Sequence, residues 1–463
     1  MNIRLCILIG AIILFSVSAS ATTTTRYMEA QVVCQLEVGV DPDSMAAAMG
    51  ATVVDRLEAA DTYLFDFSQP DPVDVLISYM EALPTVLYAQ PNYVINIFDL
   101  LQVSQPFVDK TSPPFVDGES PPAFYRQYTD EQMMIDDVLA TGVTGEGIVV
   151  AVIDGGLDRN HPLFENRLHD VAFDFVENDN DPWTDYGSLA DHGTFVAGII
   201  ARAAPDAQLM IIRSFGSSGN GTSFNITRGI YFAVEHGAQV INMSFGMYAE
   251  DQAINDAIEL AHYFGVVMTA SAGNNDLQVD QFPASHPYVL SVAAVDSADV
   301  KAYFSNYSLT VAFTAPGVDV YGPLSGGDVW GWWCGTSFST PYVSALAALL
   351  KSHYGEWTPE MIMQRMKTNA IDIRMLNPLY ETLLGNGRIN FFYSTYICGD
   401  ANRSGNLNLG DAVFLINYVF KQGETPVPLK AGDTSNDDAV NVGDAVYMIN
   451  FIFRNGPPPV CPD

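Results

Sequence analysis

The chain has 463 residues, 48% hydrophobic and 16% charged, a globular composition that excludes a disordered chain and leaves room for two to four domains. Lys and Arg total 20 against 54 Asp and Glu, a formal net charge of −34. Such a field repels phosphate backbones, so nucleic acid is not expected as a partner, while hard cations with oxygen ligands suit it.

Residues 1–21 read as a secretory signal peptide. Arg4 supplies the positive start, residues 5–17 are apolar, and Ala19-Ser20-Ala21 is a small-residue cleavage pattern. The apolar run is too short to span a bilayer, and no later run is long enough, so export without a membrane span is expected. Residues 22–98 then alternate strand signals (30–38, 52–57, 62–67, 86–97) with helix signals (42–50, 72–83). The β-α-β-β-α-β order predicts a small α+β, ferredoxin-like module. Residues 99–123 carry Pro106, Pro113, Pro114, Pro121 and Pro122 without periodicity and read as a linker.

Residues 124–392 contain non-alternating Val/Ile runs at 147–153, 208–213, 240–244, 266–270 and 288–293, with helical stretches such as 194–203 and 224–236 between them. Buried parallel strands have that composition, and the prediction is an α/β doubly wound, mostly parallel sheet. In the tail, 393–463, residues 399–423 and 432–456 are two 25-residue copies offset by 33, read as a duplicated, all-α unit.

Three junctions in the α/β region carry reactive side chains. Asp154 ends a buried strand and is followed by Gly155-Gly156. His192 opens an apolar helix in Asp191-His192-Gly193-Thr194-Phe195-Val196-Ala197-Gly198. Ser337, in Gly335-Thr336-Ser337-Phe338-Ser339-Thr340-Pro341, sits just ahead of a helix expected over 342–351, with Pro341 in its first turn. A serine hydroxyl needs a base to become a nucleophile, histidine is the usual base, and a buried carboxylate orients it. Asn274, in Ser271-Ala272-Gly273-Asn274 after a strand, offers an amide donor for an oxyanion beside the Ser337 N–H.

These blocks resemble the subtilisin-like (subtilase) serine proteases, whose chain order is Asp, His, Ser. The pattern His-Gly-Thr-x-Val-Ala-Gly is met by 192–198, Gly-Thr-Ser-x-Ser-x-Pro by 335–341, and 385–390 resembles the closing block of such domains. The resemblance implies a serine endopeptidase acting on polypeptides through an acyl-enzyme, without a cofactor for the chemistry: Asp154 orients, His192 is base and acid, Ser337 attacks and Asn274 holds the oxyanion. It also implies that residues 242–246 form an edge strand pairing with substrate, with Ser244, Phe245, Gly246, Ser271, Ala272 and Gly273 lining the binding groove. Gly155 departs from the family's usual Ser or Thr, a loss of one supporting hydrogen bond. Residues 28–98, notably Tyr88-Ala89-Gln90-Pro91-Asn92-Tyr93, resemble the inhibitor-type propeptide of the family, which makes the chain a zymogen blocked by its own propeptide. The rival reading is a catalytically inactive subtilase fold used for binding or scaffolding. Around these residues, Asp191 is expected as surface charge, His161 as structural, Ser339 as a helix cap and Cys334 as a small packing residue.

Each tail copy opens on a liganding pattern. The first is Asp400, Asn402, Ser404, Asn406, Asn408 and Asp411; the second is Asp433, Ser435, Asp437, Ala439, Asn441 and Asp444. They fall at loop positions 1, 3, 5, 7, 9 and 12, with a backbone carbonyl serving at 7, as calcium coordination requires. Gly405 takes the sharp-turn position 6 in the first loop and Asp438 in the second; helices follow at 412–420 and 445–453. Asp at position 12 and the missing entering helix make the pattern resemble a dockerin domain. That implies two Ca2+ ions, a cohesin-type scaffold or cell-surface partner, and a secreted protein with a route to the cell surface. Cys398 and Cys461 bracket this unit and are expected to pair, export permitting disulfides, while Cys34 and Cys334 are expected to stay free.

Overall fold

The computed structural model describes residues 25–68, 71–97, 107–108, 123–184, 188–404, 406–426 and 429–461. The signal peptide expected over 1–21, Gly405, and the linker expected over 99–123, apart from 107–108 and 123, lie outside the described residues.

The N-terminal unit runs β1 (Arg26–Leu36), α1 (Pro42–Met49), β2 (Ala51–Leu57), β3 (Thr62–Phe67), α2 (Val73–Glu81) and β4 (Val86–Asn96). The predicted β-α-β-β-α-β order is present, and its strands pair antiparallel in the order β2-β3-β1-β4. Successive residues of a strand face opposite sides of the sheet. Val32, Cys34 and Leu36 face the layer that holds α1 and α2, with Leu76 and Met80. Val33, with Leu64, faces the other way onto Phe224 and Ala253 of the next unit. Both faces are thus buried, which is why β1 lacks hydrophobic alternation.

The linker segment Phe107–Val108 forms β5. The central unit follows with α3 (Tyr128–Met133), α4 (Ile135–Leu139), β6 (Val149–Asp154), β7 (Phe173–Asp174), α5 (Ser188–Ala203), β8 (Gln208–Arg213), β9 (Asn220–Thr222), α6 (Ser223–Glu235), β10 (Val240–Met243), α7 (Gln252–Tyr263), β11 (Val267–Ser271), β12 (Val289–Val295), β13 (Val311–Pro316), β14 (Val320–Leu324), β15 (Val329–Trp333), α8 (Thr336–Tyr354), α9 (Pro359–Thr368) and α10 (Phe391–Thr395). The sheet has the order β13-β12-β11-β10-β6-β8-β7 with every pairing parallel. Val150 and Val152 face the core shared with α5 and α8, while Ala151 and Ile153 face the core shared with α6 and α7. This is the doubly wound α/β arrangement expected from the sequence.

Three expectations are corrected here, and one element was not anticipated. β10 is not an edge strand: it pairs with β11 and β6 on its two sides, and only residues 244–246 leave the sheet. α5 begins at Ser188 rather than Thr194, so His192 lies inside the helix. α8 begins at Thr336 rather than residue 342, so Ser337 is its second residue and Pro341 lies beyond the first turn. The hairpin β14–β15, extended by β5, had no period-2 signal because Gly and Pro interrupt it.

The N-terminal unit docks through β4, which pairs antiparallel with β9 and so lengthens its own sheet. Side chains of β4 also meet the N-termini of α6 and α7, whose first N–H groups have no partner inside the helix. Asn92 Oδ1 accepts from Phe224 N (3.3 Å), and Gln90 Oε1 accepts from Gln252 N (2.8 Å). Asp55 pairs with Arg228 across the same interface.

In the tail, α11 (Leu409–Lys421) and α12 (Val442–Arg454) pack on each other through Ala412, Leu415, Ala445 and Met448, two pairs at the repeat offset. Cys398 and Cys461 form the expected disulfide, and Cys34 and Cys334 are free and buried. Burial pushes the Cys34 thiol up to about 12. Among the described residues no helix is long and apolar enough to cross a membrane.

Candidate active site

The site forms at the C-terminal edge of the sheet, where open α/β folds place ligands. β6 ends in Asp154, which is buried. Its backbone oxygen accepts from Ser214 N (2.9 Å), and its Oδ1 accepts from Gly155 N (2.7 Å). The backbone of Gly155 thus supports the carboxylate although its side chain cannot. α5 presents His192, fully buried, with Nδ1 3.0 Å from both carboxylate oxygens of Asp154. The helix comes this close because residue 193 is glycine: a Cβ there would lie 1.9 Å from the Gly156 carbonyl oxygen. The ring is flanked by Trp333 at 5.9 Å and Phe338 at 5.6 Å. Its Nε2 is buried and has no hydrogen-bond partner among the described residues.

Ser337 follows the N-cap Gly335 by two residues, so its N–H is one of the unpaired donors of the first turn. Its hydroxyl donates to Ser244 O at 3.2 Å, not to His192. Pro341 cannot donate to Ser337 O, the bond a helix would make there. Ser244 Oγ donates to that carbonyl instead, at 2.9 Å. Ser244 is held in turn by Asn242 Nδ2 (3.0 Å), Asn242 Oδ1 by Ser344 Oγ (2.9 Å), and Ser344 meets Thr269 (2.6 Å). A buried chain of polar side chains therefore pins the start of α8 to the sheet.

Asn274 Oδ1 accepts from Thr336 N and from Thr336 Oγ1, each at 2.9 Å. The acceptor end of the amide is occupied by Thr336, and Nδ2 is the donor end. The loop is clamped by Asn306, which is fully buried. Its Nδ2 donates to Ala272 O (3.0 Å), its N to Gly273 O (2.9 Å), and its Oδ1 accepts from Asn275 N (3.0 Å) and Leu277 N (3.1 Å). Gly273 has φ +102°, and a Cβ there would lie 2.3 Å from Asn306 Nδ2, so the clamp needs glycine.

The structure thus brings Asp154 and His192 together and sets Ser337, Ser244 and Asn274 beside one another. Of the groove residues, Phe245 is buried against Phe215 at 5.0 Å. Ser271 and Ala272 are buried, and Gly246 and Gly273 approach Gln281 closely. Sequence reasoning missed Asn306 and Gln281, and it missed the bonds made by Thr336 and by the chain from Ser244 to Thr269, whose residue types are common in loops and strands. Two neighbours differ from expectation. Asp191 is not simply surface charge: its Oδ1 accepts from Ser325 N (2.8 Å) and Oγ (2.6 Å), and burial pushes its pKa up. Ser339 does not cap α8; its hydroxyl donates to Pro316 O at 3.2 Å. His161 is structural as expected, with Nδ1 accepting from Leu163 N (3.2 Å) and the ring against Trp330. Cys334 packs among Ala294, Ala302 and Phe304.

In the tail, Asp433, Asp437 and Asp444 offer carboxylate oxygens within 4.8 Å of one another. Asp433 Oδ2 is buried without a hydrogen-bond partner among the described residues. Such an orphaned anionic oxygen in a carboxylate cluster fits a hard dication. Asp438 adopts φ +63° at position 6, as its turn requires. In the first loop Ser404 N donates to Asp400 Oδ1 (2.8 Å) and Asn402 Oδ1 (2.9 Å), and Asn402 N to Asp411 Oδ1 (3.3 Å). Burial, with Asp400 nearby, pushes Asp411 up to about 6. Asn408 and Asn441 also cap α11 and α12, each with a reciprocal bond from its own N–H to Asp411 or Asp444. Ser435 Oγ donates to Asp444 Oδ1 at 3.0 Å, Ala439 O accepts from Asn441 Nδ2 at 3.0 Å, and Asn406 O accepts from Asn408 Nδ2 at 2.9 Å.

Comparison with known proteins places the chain among characterised relatives. Residues 145–404 match the profile of the subtilase family, residues 16–92 that of the fervidolysin N-terminal prodomain, and residues 398–453 that of the dockerin type I domain. A thermophilic serine proteinase of Bacillus sp. (strain AK1) is 32% identical over 344 residues, 70% of this chain and 79% of that protein. Subtilisin E of Bacillus subtilis (strain 168) is 33% identical over 256 residues, 52% of this chain and 65% of the relative. The crystal structure of fervidolysin from Fervidobacterium pennivorans, described as a keratinolytic enzyme related to subtilisin, aligns with a TM-score of 0.65 at 24% identity. That alignment covers 80% of this chain and only 61% of the fervidolysin chain, and it bears on the fold.

Proposed function

The chain belongs to the subtilase family of serine endopeptidases, with a fervidolysin-like prodomain and a dockerin type I domain, and from that premise we propose that it is a secreted, self-processed endopeptidase working through Asp154, His192 and Ser337. The observation that carries the reading is the buried Asp154–His192 pair, with Nδ1 held at 3.0 Å and Nε2 left without a partner. Held in that tautomer, the ring has its other nitrogen available as a base. In this reading the Ser337 hydroxyl exchanges its bond to Ser244 O for one to Nε2. Ser337 Oγ then attacks the scissile carbonyl carbon while its proton passes to Nε2. The oxyanion is met by Asn274 Nδ2 and the Ser337 N–H, the two donors the start of α8 leaves open. Collapse returns the proton to the leaving amine, and water, deprotonated by the same ring, releases the acyl group.

Residues 22–98 act in this reading as an inhibitor that assists folding and is cut away, with β4 reaching the central unit through β9. The tail binds two calcium ions through the two loops and tethers the peptidase to a cohesin-type partner at the cell surface. Dockerin type I domains are calcium-binding modules, and the Asp433–Asp437–Asp444 cluster supports that role.

Labelling with a fluorophosphonate tests the core of the reading. The processed protein is expected to gain one adduct at Ser337, absent in Ser337→Ala, and intact mass gives the mature N-terminus. No adduct in a folded, processed protein sinks the peptidase and favours the inactive binding fold.

A further inference from the structure

The tip of the β14–β15 hairpin is held by two carboxylates that the proposed reaction does not use. Asp191 Oδ1 accepts from Ser325 N (2.8 Å) and Ser325 Oγ (2.6 Å), and Asp158 Oδ2 accepts from Gly326 N and Gly327 N, each at 2.8 Å. Both anchors stand beside the reacting pair in the chain. Asp191 precedes His192 on α5, and Asp158 follows Asp154 by four residues. Asp158 N also donates to Thr194 Oγ1 at 3.0 Å, which ties the segment after β6 directly to α5. The hairpin tip is thereby joined to the two segments that bring Asp154 and His192 together.

From this tip the hairpin runs back along α5 in close contact. A Cβ on Gly198 would fall 2.2 Å from Pro323 Cγ, and one on Gly322 would fall 2.9 Å from the Phe195 ring. At the far end of β15, Trp333 stands edge-on to the His192 ring, with centroids 5.9 Å apart and planes at 86°, and edge-on to Phe195 at 5.8 Å. The hairpin therefore meets α5 at residue 191 through its tip and at the ring of residue 192 through its base. A two-stranded hairpin has little stability of its own, so the place of Trp333 depends on what holds the rest of the hairpin. A base is effective only while its ring is held in the reacting orientation.

We propose that Asp191 is a positioning residue for the peptidase reaction: by fixing the hairpin tip to the turn of α5 that carries His192, it keeps Trp333 against the imidazole and the ring oriented with Nδ1 on Asp154. This rests on the assignment of His192 as the base. Asp158 shares the anchor, but its Oδ1 also holds Asn160 N at 2.9 Å, so Asp191 is the member whose loss disturbs the hairpin most selectively. A carboxylate in the first turn of a helix is favourable in itself through its charge. The positioning role needs the acceptor oxygen and not the charge, and that difference separates the two.

The test compares Asp191→Ala with Asp191→Asn in the mature full-length enzyme, with active sites counted by fluorophosphonate titration. Asp191→Ala, which removes the acceptor, is expected to lower kcat by about tenfold to a hundredfold while KM stays within about twofold. Asp191→Asn keeps an oxygen for Ser325 without the charge and is expected to restore most of kcat. In a Trp333→Leu background, Asp191→Ala should lower kcat little further, because the ring it holds in place is gone. A second measurement needs no turnover. In the full-length Ser337→Ala protein, the downfield proton resonance of His192 Nδ1–H is expected to stay sharp with Asp or Asn at 191 and to broaden or vanish in Asp191→Ala, with the circular dichroism unchanged. Should Asp191→Ala fold poorly, Ser325→Ala removes one of the two donors from the other side and is expected to lower kcat in the same direction by less. An Asp191→Ala enzyme with wild-type kcat and an intact resonance, equal losses in the Ala and Asn variants, or losses that add to that of Trp333→Leu each overturn the role of Asp191 alone. Wild-type protein that shows neither turnover nor an adduct at Ser337 overturns the underlying assignment with it.

Discussion

Asn306 touches nothing that reacts, yet it holds the loop of Asn274 from both sides, through Ala272 O and Gly273 O before it and Asn275 N and Leu277 N after it. An oxyanion donor works only while it is aimed in advance. Asn274→Ala, which removes the proposed oxyanion donor, is expected to lower kcat by about a hundredfold to a thousandfold. Asn306→Ala is expected to lower kcat by about tenfold to a hundredfold at nearly constant KM, because the donor is displaced, not removed. The two losses must not add: in an Asn274→Ala background the second substitution has no aimed donor left to disturb. Additive losses in steady-state kinetics would leave Asn306 as a merely structural residue. A second single-residue effect is acid sensitivity. Burial pushes His161 down to about 4, partly opposed by its hydrogen bond to the Val329 backbone and by Asp158. Between about pH 6.5, where an unfolded histidine titrates, and about pH 4, the unfolded chain binds a proton that the folded one refuses. The stability contribution is complete above that window and is lost as pH falls through it, by up to about 3 kcal/mol for a shift of this size. His161→Asn keeps an acceptor for Leu163 N, so thermal midpoints measured in the Ser337→Ala background, free of autolysis, should fall less steeply with acid. Parallel curves would remove His161 from the explanation.

Among the elements, α8 shows how a local irregularity is repaired by tertiary structure. Pro341 removes the helix bond to Ser337 O, and Ser244 Oγ from the end of β10 supplies it. Ser244→Ala leaves that buried carbonyl without its donor, and the thermal midpoint is expected to drop by about 2–4 °C, the scale of roughly 1 kcal/mol in a domain this large. Pro341→Ala restores the missing N–H and should recover part of the loss. A double variant no more stable than Ser244→Ala would refute the coupling. The same helix marks the limit of what was legible in the sequence. Gly-Thr-Ser and Pro341 point to a start near residue 342, whereas the helix begins at Thr336, whose N–H finds its partner outside the helix in Asn274 Oδ1. The runs at 208–213, 240–244 and 266–270 were readable because strands buried on both faces are apolar throughout. β14 and β15 were not, because Gly322, Pro323 and Gly331 break any pattern and their pairing depends on each other. The pairing of Asp154 with His192 was legible because each sits in a block of unusual residues. Asn306, Gln281 and the bonds of Thr336 were not, because only the folded backbone brings these residues to Asn274 and Gly273.

At the scale of the whole molecule, three units with separate cores share one chain. The N-terminal sheet is joined to the central unit by backbone pairing of β4 with β9, by Phe224 and Ala253 beneath Val33 and Leu64, and by Asn92 and Gln90 at two helix starts. The tail is joined far more lightly: Tyr396 OH donates to Lys430 O at 2.9 Å, the Lys430 ammonium lies 4.6 Å from the Phe392 ring, and Arg403 donates to Thr141 O at 3.2 Å. None of these contacts reaches Asp154, His192 or Ser337. The tail's own core is small, with Ala412, Leu415, Ala445 and Met448 at its centre, and a core of that size needs staples. The Cys398–Cys461 bond is one. Calcium is the proposed other, since a ligand held only by the folded state stabilises it in proportion to the logarithm of its concentration. Two thermal transitions are therefore expected by calorimetry of the Ser337→Ala protein. The lower one belongs to the tail and moves up with added calcium and down with EDTA, while the upper one stays in place. In the wild type, chelation should diminish the helical circular dichroism of the tail and leave peptide turnover largely intact. A tail whose transition ignores chelator would mean that the Asp433–Asp437–Asp444 cluster holds no ion of consequence, and a loss of turnover in step with the tail would mean that the light contacts at Thr141 and Phe392 carry more than their number suggests.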